Sequence, residues 1–160
     1  MSEPANTDSA RSPGVHFPPP FLYVAVFLVG LLLQRMFPLT PLPRAASRFV
    51  AAFLLAAGFG LIFWSMGLFR RAGASPLPMR PAAALVRSGP YRWSRNPMYL
   101  GLLLLYAGVA LLFDVFWALV LAPLLPPLVA WFVIRREERY LEERFGDEYR
   151  RYKEQVGRWV

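Results

Sequence analysis

Two short segments of this chain carry side chains that can do chemistry. One runs Gly89-Pro90-Tyr91-Arg92-Trp93-Ser94-Arg95-Asn96-Pro97-Met98-Tyr99-Leu100-Gly101; the other is Arg135-Arg136-Glu137-Glu138. Guanidinium groups present donors suited to a carboxylate or phosphate. Adjacent carboxylates suit an ammonium group or hydroxyls, and Tyr91, Trp93 and Tyr99 offer walls for a planar ring. Asn96 can donate and accept hydrogen bonds but cannot shuttle a proton near neutral pH. The first segment leads into an apolar stretch and the second leaves one. If those stretches form a tight hairpin, Arg92, Arg95 and Asn96 face Glu137 and Glu138 across a small gap, and convergent polar groups beside apolar walls are the ordinary form of a ligand site. Blander readings stand beside this one. The charges could be interfacial anchors, the Gly-Pro pair a turn, the Arg cluster an anionic-lipid patch and the Glu pair a solvated helix start.

Composition narrows the chemistry. The 160 residues include no Cys and one His, His16, which excludes disulfides, a thiol nucleophile and a Cys- or His-based metal cluster, and argues against a Ser-His-Asp hydrolase. No metal ligand set is expected. Hydrophobic residues make up 56% and charged residues 18%, fewer charges than a soluble domain carries. Acids concentrate between Glu137 and Glu154, and the ten Arg residues of 1–134 are opposed only by Glu3, Asp8 and Asp114. A pI near 10.6 would suit nucleic acid, but the apolar runs are too long for a small nucleic-acid domain. The positive-inside bias of membrane proteins accounts for the excess, so no nucleic-acid partner is expected.

The elements that must position these groups follow from the apolar runs. The sequence predicts an all-α, polytopic membrane protein with about four transmembrane helices. A polar tail over 1–17 is expected to be disordered. A transmembrane domain follows over 18–134, with spans near 20–37, 49–69, 97–113 and 115–134; the last two form a tight hairpin at Asp114. Pro123, Pro126 and Pro127 should kink the fourth span. The 70–96 loop holds six Arg residues and no acid. That asymmetry places the loop, and with it both termini, in the cytoplasm. Residues 135–160 carry Leu141, Phe145, Tyr149, Tyr152, Val156 and Trp159 at helical spacing, which predicts an amphipathic cytosolic helix acting as a lid. Opposite charges four apart (Arg139/Glu143, Arg144/Glu148, Asp147/Arg151, Arg150/Glu154 and Glu154/Arg158) would support it, and Gly146 is where it would break or kink.

The residue order goes further. Gly-Pro-Tyr-Arg-x-x-Arg-Asn-Pro-x-Tyr-Leu-Gly at 89–101, followed by Glu-Glu-x-x-Leu-x-x-x-Phe-Gly-x-x-Tyr-x-x-Tyr at 137–152, resembles the isoprenylcysteine carboxyl methyltransferase and phospholipid methyltransferase family of integral membrane enzymes. The resemblance covers roughly residues 50–160. Asn96 stands where the commonest form has His, so a role that needs an imidazole is not carried over. The resemblance implies a methyltransferase that takes S-adenosylmethionine on the cytosolic side and a lipophilic acceptor from the bilayer: an isoprenylcysteine-like carboxylate, a phospholipid or another small lipophilic molecule. It implies a bacterial inner (plasma) membrane. Tyr91, Arg92, Arg95, Asn96, Pro97, Tyr99, Leu100, Gly101, Glu137 and Glu138 would bind the cofactor, with Arg95 and Glu138 the catalytic candidates. No Gly-rich dinucleotide fingerprint is present. Membrane reductases of the sterol type, which use NADPH, share features of the C-terminal half. Leu102, however, stands where they usually have an acid. A non-enzymatic lipid-binding membrane protein is the third reading.

Overall fold

The computed structural model describes residues 19–73 and 84–160. The expected disordered tail and the middle of the 70–96 loop lie outside the described residues. Among those residues every regular element is helical.

Helix α1 (Pro20–Met36) opens on proline, whose missing N–H costs little in a first turn. Helix α2 (Arg44–Arg71) is the longest single α-helix, and it extends beyond the expected 49–69 at both ends. Its 28 residues span about 42 Å, against roughly 30 Å for a hydrocarbon core. The surplus is the Arg-bearing turns at each end, Arg44 and Arg48 at one and Arg70 and Arg71 at the other. Helix α3 (Pro97–Leu112) begins directly after the polar Gly89–Asn96 segment.

A three-residue turn then reverses the chain. Asp114 sits at φ 55°, which a short polar side chain tolerates better than most, and the Val115 N–H closes the turn on the Ala110 carbonyl at 2.8 Å. Arg44 approaches the Asp114 carboxylate at 3.6 Å from the start of α2.

Helix α4 runs almost unbroken from Phe116 to Phe145. The prolines change its winding rather than end it. A 3-10 turn occupies Ala122–Leu124, and a wide π-helical turn occupies Ala130–Ile134. Pro126 and Pro127 bring no N–H to the ladder, and the Leu125 N–H bonds the Ala122 carbonyl instead. From Arg135 onward the same helix is highly charged and projects beyond the apolar bundle. Gly146, at φ 51°, breaks the chain between α4 and a last helix, α5 (Asp147–Gln155).

Two helices, Arg44–Arg71 and Phe116–Phe145, are long and apolar enough to cross a membrane; Pro20–Met36 and Pro97–Leu112 are apolar but shorter. Phe49, Phe53, Phe63 and Phe113 are each about two-thirds exposed or more, as suits an acyl-chain surround and not water. In such a surround helices associate through close backbone approach at small residues. Here a Cβ on Gly58 would meet the Gly101 carbonyl oxygen at 2.9 Å, one on Gly108 would meet Leu55 at 2.8 Å, and one on Gly30 would meet the Ala118 backbone at 2.7 Å. Glycine therefore sets the α2–α3 and α1–α4 separations.

The buried core between α1, α3 and α4 contains Tyr23, Tyr99, Tyr106, Leu125, Val129, Val133 and Ile134. Two of its tyrosine hydroxyls are spent on backbone: Tyr23 donates to the Tyr99 carbonyl at 3.0 Å and Tyr106 to the Ala118 carbonyl at 2.9 Å.

The tail helix breaks at Gly146, where the sequence predicts a break or kink, but its ion pairs differ from those expected along one helix. Because Gly146 turns the chain, α5 folds against the end of α4, and ion pairs cross the break: Arg150 reaches Glu142 at 3.2 Å and Lys153 reaches it at 3.3 Å, while Arg150 also pairs with Asp147 within α5 at 2.9 Å. Arg158 pairs with Glu138 and not with Glu154, and Glu148 pairs with Arg87 at 2.8 Å and not with Arg144. The apolar stripe is split likewise. Tyr149, Tyr152 and Val156 form a small cluster with Leu85, Leu141 and Phe145, whereas Trp159 packs on the main core.

Candidate functional site

At the charged end of the bundle three stretches of chain meet: Gly89–Asn96, the start of the charged part of α4, and the segment after α5. A 3-10 turn over Gly89–Arg92 opens the first stretch. Gly89 is at φ 59°, and a Cβ there would lie 2.8 Å from Leu68 and 3.2 Å from the Trp64 ring, so both backbone and space require glycine. The turn buries Tyr91 edge-on to Phe69, with ring centroids 5.5 Å apart. The Tyr91 carbonyl accepts the Tyr152 hydroxyl at 2.7 Å, which ties the turn to α5.

The next residues hold the segment after α5 like a short clasp. The Arg95 N–H donates to the Gly157 carbonyl at 3.0 Å. The Asn96 side-chain amide donates to the Arg158 carbonyl at 3.0 Å, and the Ser94 hydroxyl donates to the same oxygen at 3.3 Å. The Ser94 Oγ in turn accepts the Asn96 N–H at 3.1 Å. Asn96 is thus a docking residue for the chain end. Pro97, fully buried, starts α3.

The acids of α4 lie opposite. Glu138 is buried, and its carboxylate takes two arginines. Arg158 makes a two-pronged contact, Nε to Oε1 at 2.9 Å and Nη2 to Oε2 at 2.6 Å. Arg95 Nη1 lies 3.0 Å from Oε1. The Arg95 side chain is only 9% exposed, and its Nε and Nη1 are buried without a hydrogen-bond partner, so the contact with Glu138 is ionic without hydrogen-bond alignment. Buried donors in that state are uncommon, and the Tyr149 hydroxyl is the other polar group set beside this guanidinium.

Glu137 takes another course. Its Oε1 accepts the Tyr99 hydroxyl at 2.6 Å. Burial pushes its carboxyl up to about 7; the Tyr99 hydrogen bond opposes that rise and the neighbouring Glu138 charge adds to it. The two neighbouring acids therefore differ in kind: Glu138 is neutralised by cations and Glu137 is held by a phenol.

Of the residues singled out from the sequence, Tyr91, Arg95, Asn96, Pro97, Tyr99, Glu137 and Glu138 lie in this layer. Arg92 is exposed at the end of the 3-10 turn, and the cations on Glu138 are Arg95 and Arg158. Leu100 is half-buried in the first turn of α3. Gly101 faces α2, where a Cβ would meet Ile62 at 2.6 Å. Sequence reasoning missed Ser94 as a partner and placed Arg158 on Glu154. No local signal linked Arg158 to Glu138, because that pairing spans twenty positions and depends on the break at Gly146. The π-helical turn one helical turn before the acids also left no sequence mark; such turns often lie beside functional residues.

Comparison with known proteins gives a family and little else. The sequence model described as phospholipid methyltransferase matches residues 46–148, well over half the chain. An uncharacterized protein of Haemophilus influenzae is 69% identical over 29 residues, a stretch covering 18% of this chain and 46% of that protein. The chain thus spans less than half the length of this relative. No solved structure matches.

Proposed function

The chain belongs to the phospholipid methyltransferase family, and from that premise we propose that it is a membrane-embedded methyltransferase using S-adenosylmethionine and a lipophilic acceptor. The observation that carries this reading is Arg95, a buried guanidinium beside Glu138 and the Tyr149 hydroxyl whose Nε and Nη1 make no aligned hydrogen bond. The residues fit the cofactor's amino-acid end. Arg95 offers donors to a carboxylate. Glu137, held by a neutral phenol, is the acid available to an ammonium group. Tyr91 and Tyr99 are aromatic residues of the same layer.

When bound, S-adenosylmethionine supplies an electrophilic methyl group on a sulfonium sulfur. The chain's own residues supply position and a dry surround. Glu138 fixes the Arg95 guanidinium, and the Tyr99 hydroxyl fixes Glu137. The apolar bundle beneath them excludes water, which favours a reaction in which opposite charges disappear, as when a carboxylate is the acceptor. For an amine acceptor the Glu137 carboxyl, poised near neutrality, holds the released proton. Neither route needs an imidazole, and Asn96 is accordingly free to serve as a structural clasp.

In this reading all four apolar helices cross the membrane. The shorter α1 and α3 are accommodated by small local changes in bilayer thickness beside α2 and α4. The Arg-rich loop, both termini and the site face the cytoplasm, in a bacterial inner membrane.

The test is calorimetric titration of the detergent-solubilised protein with S-adenosylhomocysteine and with NADPH. Methyl transfer to a membrane lipid extract, with products read by mass spectrometry, accompanies it. Binding of S-adenosylhomocysteine, lost in Arg95→Ala while the variant stays folded in the membrane, is the expected result. Binding of NADPH instead, or of neither, overturns the proposal.

A further inference from the structure

The Glu138 carboxylate has two arginines but is oriented by one. Arg158 occupies both oxygens in the two-pronged geometry that gives arginine–carboxylate pairs their strength. Arg95 is left with one unaligned approach of Nη1 to Oε1, and neither Nη1 nor Nε makes an aligned hydrogen bond. These two facts are one arrangement. The two-pronged grip fixes the carboxylate plane on Arg158, and the lone pairs left over do not line up with the Arg95 donors.

We propose that Arg158 is a positioning residue: by fixing the plane of the Glu138 carboxylate it keeps the buried Arg95 guanidinium open for an anionic group of the ligand. This rests on the reading of Arg95 as the anion-binding group of the site. Without the Arg158 guanidinium, Glu138 turns to the nearest remaining cation and closes a two-pronged pair with Arg95, occupying the donors a ligand carboxylate would take. The same residue contributes separately to the fold through its backbone. Its carbonyl accepts from Asn96 and Ser94, and the preceding Gly157 carbonyl accepts from the Arg95 N–H. A side-chain substitution leaves those carbonyls in place, so the clasp and the positioning effect can be separated.

The experiment is a double-mutant cycle on the full-length protein in detergent, with S-adenosylhomocysteine affinity read by calorimetry and folding by circular dichroism. Arg158→Ala is expected to weaken binding by about tenfold or more, the scale of one charge-assisted hydrogen bond. Glu138→Gln removes the competing charge. In the Glu138→Gln background, Arg158→Ala should therefore weaken binding no more than about twofold, the mark of coupling between the two positions. Arg158→Lys keeps the charge but not the two-pronged geometry and should fall between. A merely structural Arg158 would give the same loss in both backgrounds, and that equality overturns the proposal, as does unchanged or tighter binding in Arg158→Ala. Arg95→Ala serves as the reference. Wild-type binding there defeats the site reading itself, whereas loss there with an inert Arg158 defeats only this inference.

Discussion

The apolar bundle and the polar layer above it are held together by opposite means. In the bundle, selectivity comes from what is absent. Gly30, Gly58, Gly101 and Gly108 leave out a side chain so that backbones can touch, and the Tyr23, Tyr106 and Ser65 hydroxyls bond backbone carbonyls. In the polar layer, selectivity comes from charge. One carboxylate gathers two arginines, and another carboxylate bridges the Gly146 break to Arg150 and Lys153. The bundle lies where apolar burial discriminates little between neighbours, because lipid is as apolar as leucine, so shape must do the work. The layer lies where charges can be paired out of water, so geometry can be fixed by ions at the cost of leaving any broken pair exposed.

The largest effect should come from breaking the layer at its centre. Glu138→Ala strands two guanidinium groups, one of them nearly buried. Removing one partner of a buried pair costs about 3–5 kcal/mol, and the one-third exposure of Arg158 favours the low end. Denaturant-induced unfolding in mixed micelles should show the loss. A change under about 1 kcal/mol would mean the layer is not held by this ion pair.

A second, pH-dependent effect separates the two acids. Glu137 titrates near 4.5 when unfolded and near 7 when folded. Between those values the folded state binds more protons, so stability falls as pH rises from about 4.5 to about 7 and levels off above. Glu137→Gln cannot lose a proton and should lack that fall. The measurement is unfolding free energy across that pH window, taken as the difference between wild type and variant. Parallel curves would place the Glu137 carboxyl in water.

In the bundle, Gly58→Ala should cost about 1–3 kcal/mol, since its Cβ meets the Gly101 carbonyl, a backbone atom that moves only if α2 and α3 separate. Gly60→Ala, two residues on and facing the other way with nothing within 4 Å, should be neutral or gain up to about 1 kcal/mol from helix propensity. Equal effects at both positions would show that close approach does not hold the bundle.

The same contrast explains what the sequence could reveal. The apolar helices were legible because charge-free runs have one cheap explanation. The hairpin at Asp114 was legible because one acid interrupts them. The Gly89–Gly101 and Glu137–Glu138 segments were legible because their residue types are unusual at a membrane end. What stayed hidden depends on geometry between distant residues. A stripe at spacings of three and four fits one helix or two equally well, so Gly146 decided the matter through its backbone. Arg158 four positions after Glu154 satisfies a local rule and obscures its partner twenty positions back. Gly101 sits inside a recognisable segment, yet its contact is with α2 and not with the polar layer.

The smallest expected effect tests the seam between the regions. Tyr152 belongs to the tail cluster, but its hydroxyl donates to the carbonyl of Tyr91, whose ring packs on Phe69 of α2. Tyr152→Phe keeps the ring and its burial, so only the hydrogen bond is removed and one buried carbonyl is left without this donor. The cost should be about 1 kcal/mol in unfolding free energy. Because the bond fixes the turn that leads to Arg95, S-adenosylhomocysteine affinity should fall with it, by no more than about fivefold. A loss of stability with affinity unchanged would place the Gly89–Arg92 turn outside the site. A loss of affinity with stability unchanged would show that the tail helix tunes the site through this one bond.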